Sequence, residues 1–181
     1  EQDAFPLVLL QSSLKVTFES PPGLKKNLQR TYASWGAEFV DAGTPLRARM
    51  LFVLAWFHAL VQERRTYRPQ GWTENYEFSF GDLRAGVNVV ELACDNLVDG
   101  QPEWQTVVGL MENAIYGGRI ANPFDFRVLK AYLARFFGAS TVQGDGRRGG
   151  VFDFALPDGA SHRDYRGVID ALPDSDAPSL F

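Results

Sequence analysis

Apolar residues change their spacing several times along this 181-residue chain, and each change marks an element. From Met50 to Val61 almost every position is apolar (MLFVLAWFHALV). A run that long exceeds a typical strand, and a helix apolar on all sides must be buried on all sides. Leu24 to Trp35 instead interleaves Leu, Tyr and Trp with Lys and Arg, which predicts a basic amphipathic helix. Phe5–Val16 (FPLVLLQSSLKV) is a short apolar run flanked by polar residues and Pro, and it predicts a buried strand. Glu19-Ser-Pro-Pro-Gly breaks it. A strand cannot stand without a sheet, so this reading also predicts a neighbour outside the chain.

Helix starts are marked clearly. Thr44-Pro45 and Asn122-Pro123 each set a capping side chain before a proline at the first helical position, where the missing N–H has no partner to lose. Ser79-x-x-Asp82 and Ser161-x-x-Asp164 resemble capping boxes with Asp in place of Glu. Helices are predicted near 45–66, 80–98, 102–116, 123–137 and 162–172, with Asp99-Gly100 separating the second from the third and Gly138 ending the fourth. Beyond Gly138 the texture changes. Gln143–Gly150 (QGDGRRGG) reads as a flexible linker, 151–157 (VFDFALP) alternates as an exposed strand would, and Asp174–Pro178 is an acidic, turn-rich tail. A boundary is expected close to 138, and no internal repeat is present.

Composition narrows the function. The length suits about one domain, and a chain of about 150 residues already hides roughly 70% of the surface its unfolded form exposes. Hydrophobic content of 45% and charged content of 22% are globular values. Aromatic content of 13%, with 14 Phe and 4 Trp, implies bulky packing surfaces or an interface. A net charge of −4 argues against a broad nucleic-acid surface, which needs concentrated Lys and Arg. The single cysteine, Cys94, excludes an internal disulfide and a Cys-cluster metal site, and reads as a small hydrophobe on a helix. The opening Glu1-Gln2-Asp3 is acidic where a secretory signal is basic. The Met50–Val61 run falls short of the roughly 20 residues a membrane span needs. A soluble protein of a reducing compartment is expected. The abrupt start without Met suggests a piece of something larger.

Catalytic constellations are few. A Ser-His-Asp arrangement would need His58 or His162 as base. His58 lies inside the most apolar helix and reads as a core histidine, whereas His162, in the first turn of a short helix, is expected in solvent. Neither belongs to a metal-spaced cluster, and HExxH is absent. Gly144-x-Gly146-x-x-Gly149 matches the dinucleotide fingerprint formally, but that mechanism needs a strand before it and a helix after it. Here the order is reversed, so a linker is the better reading. No GxxxxGK[ST] occurs. The carboxylate pairs Glu74/Glu77 and Glu91/Asp95 read as solvated faces. Glu63-Arg64-Arg65 admits two readings: a bidentate phosphate or carboxylate clamp, or cationic charge closing a helix C-terminus, worth about 0.3–1 kcal/mol. The residues favour the second. From them alone the chain is a helical domain without an autonomous active site.

Longer motifs carry a resemblance. HALVQERR…PQGW followed by YEFSFGDLR resembles the dynein heavy chain in its C-terminal motor region. The likeness extends upstream through LLQSSLKVTFESPPGLKKNLQRTY and downstream through YGGRI, RVLKAYLARFF, LPDGASHRDY and ALPDSDAPSLF, covering essentially the whole chain. DLRAGVNVV and ENAIYGGRIANPFDFRVL look most like the intraflagellar-transport (type 2 cytoplasmic) branch. The resemblance implies a mainly α fold: a helical AAA+ lid bundle with short flanking β segments. It implies that residues 1–20 end the large subdomain of the sixth AAA+ module. Residues 21–138 would form its lid, and 139–181 the linker and start of the C-terminal domain. The implied parent is an ATP-driven, minus-end-directed microtubule motor of cytoplasm, cytoskeleton and cilium, with ATP and Mg bound elsewhere in it.

For this segment the resemblance implies no catalytic residue, no cofactor and no metal. The implied partners are the first AAA+ module and the rest of the heavy chain, and for the parent microtubules, accessory chains and intraflagellar-transport particles. No nucleic acid and no membrane span are implied. Gln62, Glu63, Arg64 and Arg65 are expected to fix the end of the long helix against the next loop and Trp72. Tyr116, Gly117, Gly118 and Arg119 are expected to form a compact turn between two helices, the glycines permitting positive φ. Two other functions fit the residues: a nucleotide-binding enzyme domain gripping phosphate with GDGRRG or Arg64/Arg65, and a stand-alone helical adaptor.

Overall fold

A computed structural model describes residues 8, 12–14, 21–67, 71–143, 151–152, 154–159 and 161–174. Its helices, in chain order, are α1 (Leu24–Ser34), α2 (Ala37–Val40), α3 (Pro45–Glu63), α4 (Phe80–Asp95) and α5 (Trp104–Leu110). α5 runs on through a π turn (Met111–Tyr116) into a 3-10 turn (Gly117–Arg119), and α6 (Pro123–Phe136), α7 (Ala139–Val142) and α8 (His162–Ala171) follow.

The caps act as the sequence predicts. Thr44 Oγ1 accepts the Arg47 N–H at 3.3 Å, and Asn122 Oδ1 accepts the Phe124 N–H at 2.8 Å. Ser79 and Asp82 close a full capping box, and Ser161 Oγ accepts from the Asp164 N–H at 3.2 Å. Asp99 (φ 51°) and Gly100 (φ 76°) occupy the left-handed region between Val98 and Gln101, which bridge across the turn. Two successive positive φ values are what a tight reversal demands, and Asp-Gly supplies them at low steric cost.

α3 is the axis. Every residue from Met50 to Val61 is buried, so the other elements must pack around it rather than to one side. α4 lies so close that a Cβ on Gly86 would come within 2.8 Å of Leu54 Cδ1. Phe57 faces Tyr116, Phe136 and Phe137 edge-on at 4.9, 5.9 and 5.7 Å. On another face Phe52 stacks on Tyr165 of α8 at 5.1 Å, and Trp56 meets Phe152 at 5.1 Å. α8 lies along α1, joined by Lys25–Asp174 (2.8 Å) and Gln29–Asp170 (2.9 Å). The apolar core therefore runs continuously from α1 to α8, across Gly138.

Among the described residues no strand occurs. Most of the expected strand at Phe5–Val16 lies outside them; where described, Val8 and Ser12 have helical backbone, and Val8 is exposed. The described residues of 151–157 form no exposed strand either. Phe152 and Leu156 are buried, and Phe152 and the half-buried Phe154 pack on the aromatic face of α3, against Phe52 and Trp56. Their spacing follows that face rather than a ladder. His162 is half-buried, its Nε2 2.9 Å from the Tyr32 carbonyl and its ring stacked on Tyr32. No described helix is long and apolar enough to cross a membrane.

Candidate functional site at the end of the central helix

Where α3 runs out, each side chain of Gln62–Arg64 reaches a different segment. Gln62 Nε2 donates to the Phe78 carbonyl at 2.6 Å, holding the approach to α4. Glu63, buried, accepts the Gly23 N–H at 2.8 Å and the Thr66 hydroxyl at 2.8 Å, so one carboxylate ties the start of α1 to the turn after α3. Arg64 turns inward. Its Nη1 donates to Tyr132 Oη at 2.6 Å and its Nη2 to the Gly71 carbonyl at 3.2 Å. The guanidinium lies 4.9 Å from the Trp72 ring centroid and 5.2 Å from that of Tyr132. Trp72 Nε1 in turn donates to the Val61 carbonyl at 2.8 Å, satisfying one of the acceptors a helix end leaves open. A guanidinium held between two rings suits Arg, whose planar fork stacks and donates at once. Arg65 points elsewhere, into the lining of a cleft.

The Tyr116–Arg119 turn meets α3 one turn before this hub, through His58, and touches Phe78, whose carbonyl Gln62 holds. Tyr116 Oη is 3.0 Å from His58 Nδ1, both buried. Burial pushes the His58 pKa down to about 4, with Asp82 opposing the shift and Arg30 adding to it. Burial also raises the Tyr116 phenol well above its ordinary range, and the charge of Asp82 adds to that. The pair is therefore neutral near pH 7. Arg119 donates from Nε (3.1 Å) and Nη2 (2.8 Å) to Asp82 Oδ1. Asp82 Oδ2 takes the Ser79 N–H at 2.7 Å and its hydroxyl at 3.0 Å. Burial alone would raise the Asp82 pKa; the Ser79 N–H, Arg119 and the Ser79 hydroxyl outweigh it, and the net shift is downward.

The Gly117-Gly118 pair does not use the positive φ that glycine permits: Gly117 has φ −68°, and among the described residues the positive-φ glycines are Gly23, Gly43 and Gly100. What Gly117 supplies is space. A Cβ there would fall 1.8 Å from the Glu112 carbonyl oxygen and 2.7 Å from Phe126 Cε2, because the π turn brings the Glu112 carbonyl under residue 117. Gly118 has nothing within 4 Å of such a Cβ.

Several contacts elsewhere along α3 and beside the hub carry no sequence signal. Arg47, buried, is gripped by Glu91 at 2.6–3.0 Å and also donates to the Phe39 and Ala42 carbonyls, so Glu91 is not merely a solvated charge. Asp125 accepts the Thr73 N–H at 3.0 Å and the Thr73 hydroxyl at 2.6 Å, fixing the loop after Trp72 to α6. Only an acidic residue in the first turn after Asn122-Pro123 hinted at it. Cys94 is half-buried against Met50, with 3.9 Å between the sulfurs.

The Gly144–Gly149 run lies outside the described residues. Among the described residues no three His, Cys, Asp or Glu side chains converge to hold a metal. A cleft of about 620 Å³ opens between α1, the second half of α3 and the segment leading into α4.

Residues 47–181 match the family model of the dynein heavy chain AAA lid domain. The chain is 54% identical, over 98% of its length, to cytoplasmic dynein 2 heavy chain 1 of Chlamydomonas reinhardtii. It is 53% identical over 98% to the human protein of that name. Against the cytoplasmic dynein heavy chain of Drosophila melanogaster it is 36% identical over 96%. It spans 4% of the length of each of these relatives.

Proposed function

The chain belongs to the dynein heavy chain family, as its AAA lid domain, and from that premise we propose that it is a non-catalytic block relaying movement within a microtubule motor for intraflagellar transport. The subtype reading rests on identities of 43–54% to cytoplasmic dynein 2 heavy chains, against 36% to the Drosophila cytoplasmic chain. In this reading residues 1–20 end the large subdomain of the sixth module, 21–138 are its lid, and 139–181 are the linker and start of the C-terminal domain, packed onto the lid. The lid closes the ring against the first module. ATP and Mg are bound elsewhere in the heavy chain, which works with microtubules, accessory chains and transport particles in cytoplasm and cilium.

The observation that supports a relay is the end of α3. Gln62, Glu63 and Arg64 connect the buried axis to the approach to α4, the start of α1, and α6. A displacement applied to one of these segments reaches the others through α3, because packed cores deform little. The test replaces Arg64 by Ala in the full-length heavy chain. Microtubule-stimulated ATPase and gliding velocity are expected to fall severalfold while basal ATPase persists. Unchanged coupling in a variant whose α3 end is demonstrably loosened would remove the relay role.

A further inference from the structure

The cleft beside α3 has a lining that the lid role does not use. Its charged groups are Arg30, Arg65 and Glu77, one net positive charge. Arg30 is exposed and forms no ion pair among the described residues. His58, only 3% exposed, also borders the cleft. Its Nδ1 is taken by Tyr116, which leaves the other ring nitrogen to serve a ligand. Tyr76 and Phe80 add aromatic surface, and Phe80 is 50% exposed. The start of α4 borders the cleft at Ser79, and the Asp82 carboxylate already stands there. The Ser79 N–H donates to that carboxylate and the Asp82 N–H to the Ser79 hydroxyl.

We propose that this cleft docks an acidic, extended segment from elsewhere in the same heavy chain, one carboxylate on Arg30 and a neighbouring apolar side chain on Phe80. A singly charged carboxylate suits one unpaired guanidinium beside a neutral imidazole. A phosphate would draw on the helix start, where the Asp82 carboxylate beside the Ser79 N–H repels a doubly charged anion. The volume, about 620 Å³, is in the range of pockets that hold ligands of several side chains. A source in the same chain is favoured because this segment is 4% of its relatives' length, and tethered segments reach effective concentrations on the order of millimolar. The inference rests on the heavy chain being the parent.

The test uses the full-length heavy chain with a benzophenone amino acid replacing Phe80, irradiated and mapped by mass spectrometry. The expected adduct lies on the same polypeptide outside residues 1–181, with an Asp or Glu about three residues or fewer away. Its yield is expected to drop about tenfold in Arg30→Glu, which corresponds to about 1.4 kcal/mol in docking, and less than about twofold in Arg30→Lys. Reversing the mapped carboxylate to Arg alongside Arg30→Glu should restore it, which a misfolded Arg30→Glu chain could not do. An adduct on a different polypeptide, on a segment without a carboxylate, or one indifferent to Arg30→Glu overturns the proposal, as does no adduct. Microtubule-stimulated ATPase of the same preparations reads the relay role separately: loss of coupling with the adduct intact leaves docking standing.

Discussion

His58 Nδ1 and Tyr116 Oη meet at 3.0 Å with both side chains buried, joining the middle of α3 to the end of the π turn. The imidazole is held neutral, with a pKa near 4 in the folded chain against 6.5 unfolded. Between those values the unfolded state binds the extra proton, so stability is full above about pH 6.5 and falls as the pH drops toward 4. The loss from this one group approaches about 3 kcal/mol. Thermal melts across that range should show it, and His58→Gln should flatten that part of the profile. Identical slopes in the two chains would remove His58 as the source.

Asp82→Asn is expected to lower stability by about 1–3 kcal/mol, because it removes the charge that Arg119 and the Ser79 N–H both address. The folded carboxyl is held below its ordinary range. Its contribution is therefore present above the unfolded carboxylate pKa of about 3.9 and lost as pH falls through the lower folded value. Urea titrations of both chains at pH 7 and pH 3 should show a smaller difference at the acid end.

Gly117 and Gly118 are adjacent and should respond differently. Gly117→Ala places a methyl group against the Glu112 carbonyl and Phe126 and is expected to cost about 2–4 kcal/mol. Gly118→Ala meets open space at a backbone angle any residue adopts, and should stay within about 0.5 kcal/mol of the parent. Equal melting temperatures for the two variants would show that the π turn imposes no restriction at 117.

The Arg64–Trp72 stack predicts non-additivity. Arg64→Lys keeps the charge but loses the planar face and the fork that reaches Tyr132 and Gly71. A double-mutant cycle with Trp72→Leu should give a coupling of about 1 kcal/mol. A value near zero would mean that the ring contact contributes nothing beyond burial.

Local chemistry was readable in the chain, and distant pairing was not. Thr44-Pro45, Ser79 with Asp82, Asn122-Pro123 and Ser161 with Asp164 act within a turn, so their spacing announced the helix starts. The axial character of α3 followed from apolarity on every face. Arg47 with Glu91, Asp82 with Arg119 and Thr73 with Asp125 join residues far apart in the chain, and no periodicity encodes such pairs. The π turn was missed because its extra residue changes which carbonyl lies under Gly117, not which residues are apolar. The segment 151–157 reads as a strand because Phe152 and Phe154 meet the aromatic surface of α3 at a spacing of two.

The pairing of α8 with α1 sets an order of assembly. Tyr32 receives His162 and Tyr165 only after more than a hundred further residues have been made, and Phe52 likewise waits for Phe152. During synthesis, at about 5–20 residues per second, the aromatic flank of α3 would stay uncovered for several seconds after α4 could already have docked on the other side. A chain ending before Phe152 would carry that flank permanently bare, with Phe52 and Trp56 open to association with other chains. Truncations in this stretch should therefore aggregate before they lose helix content.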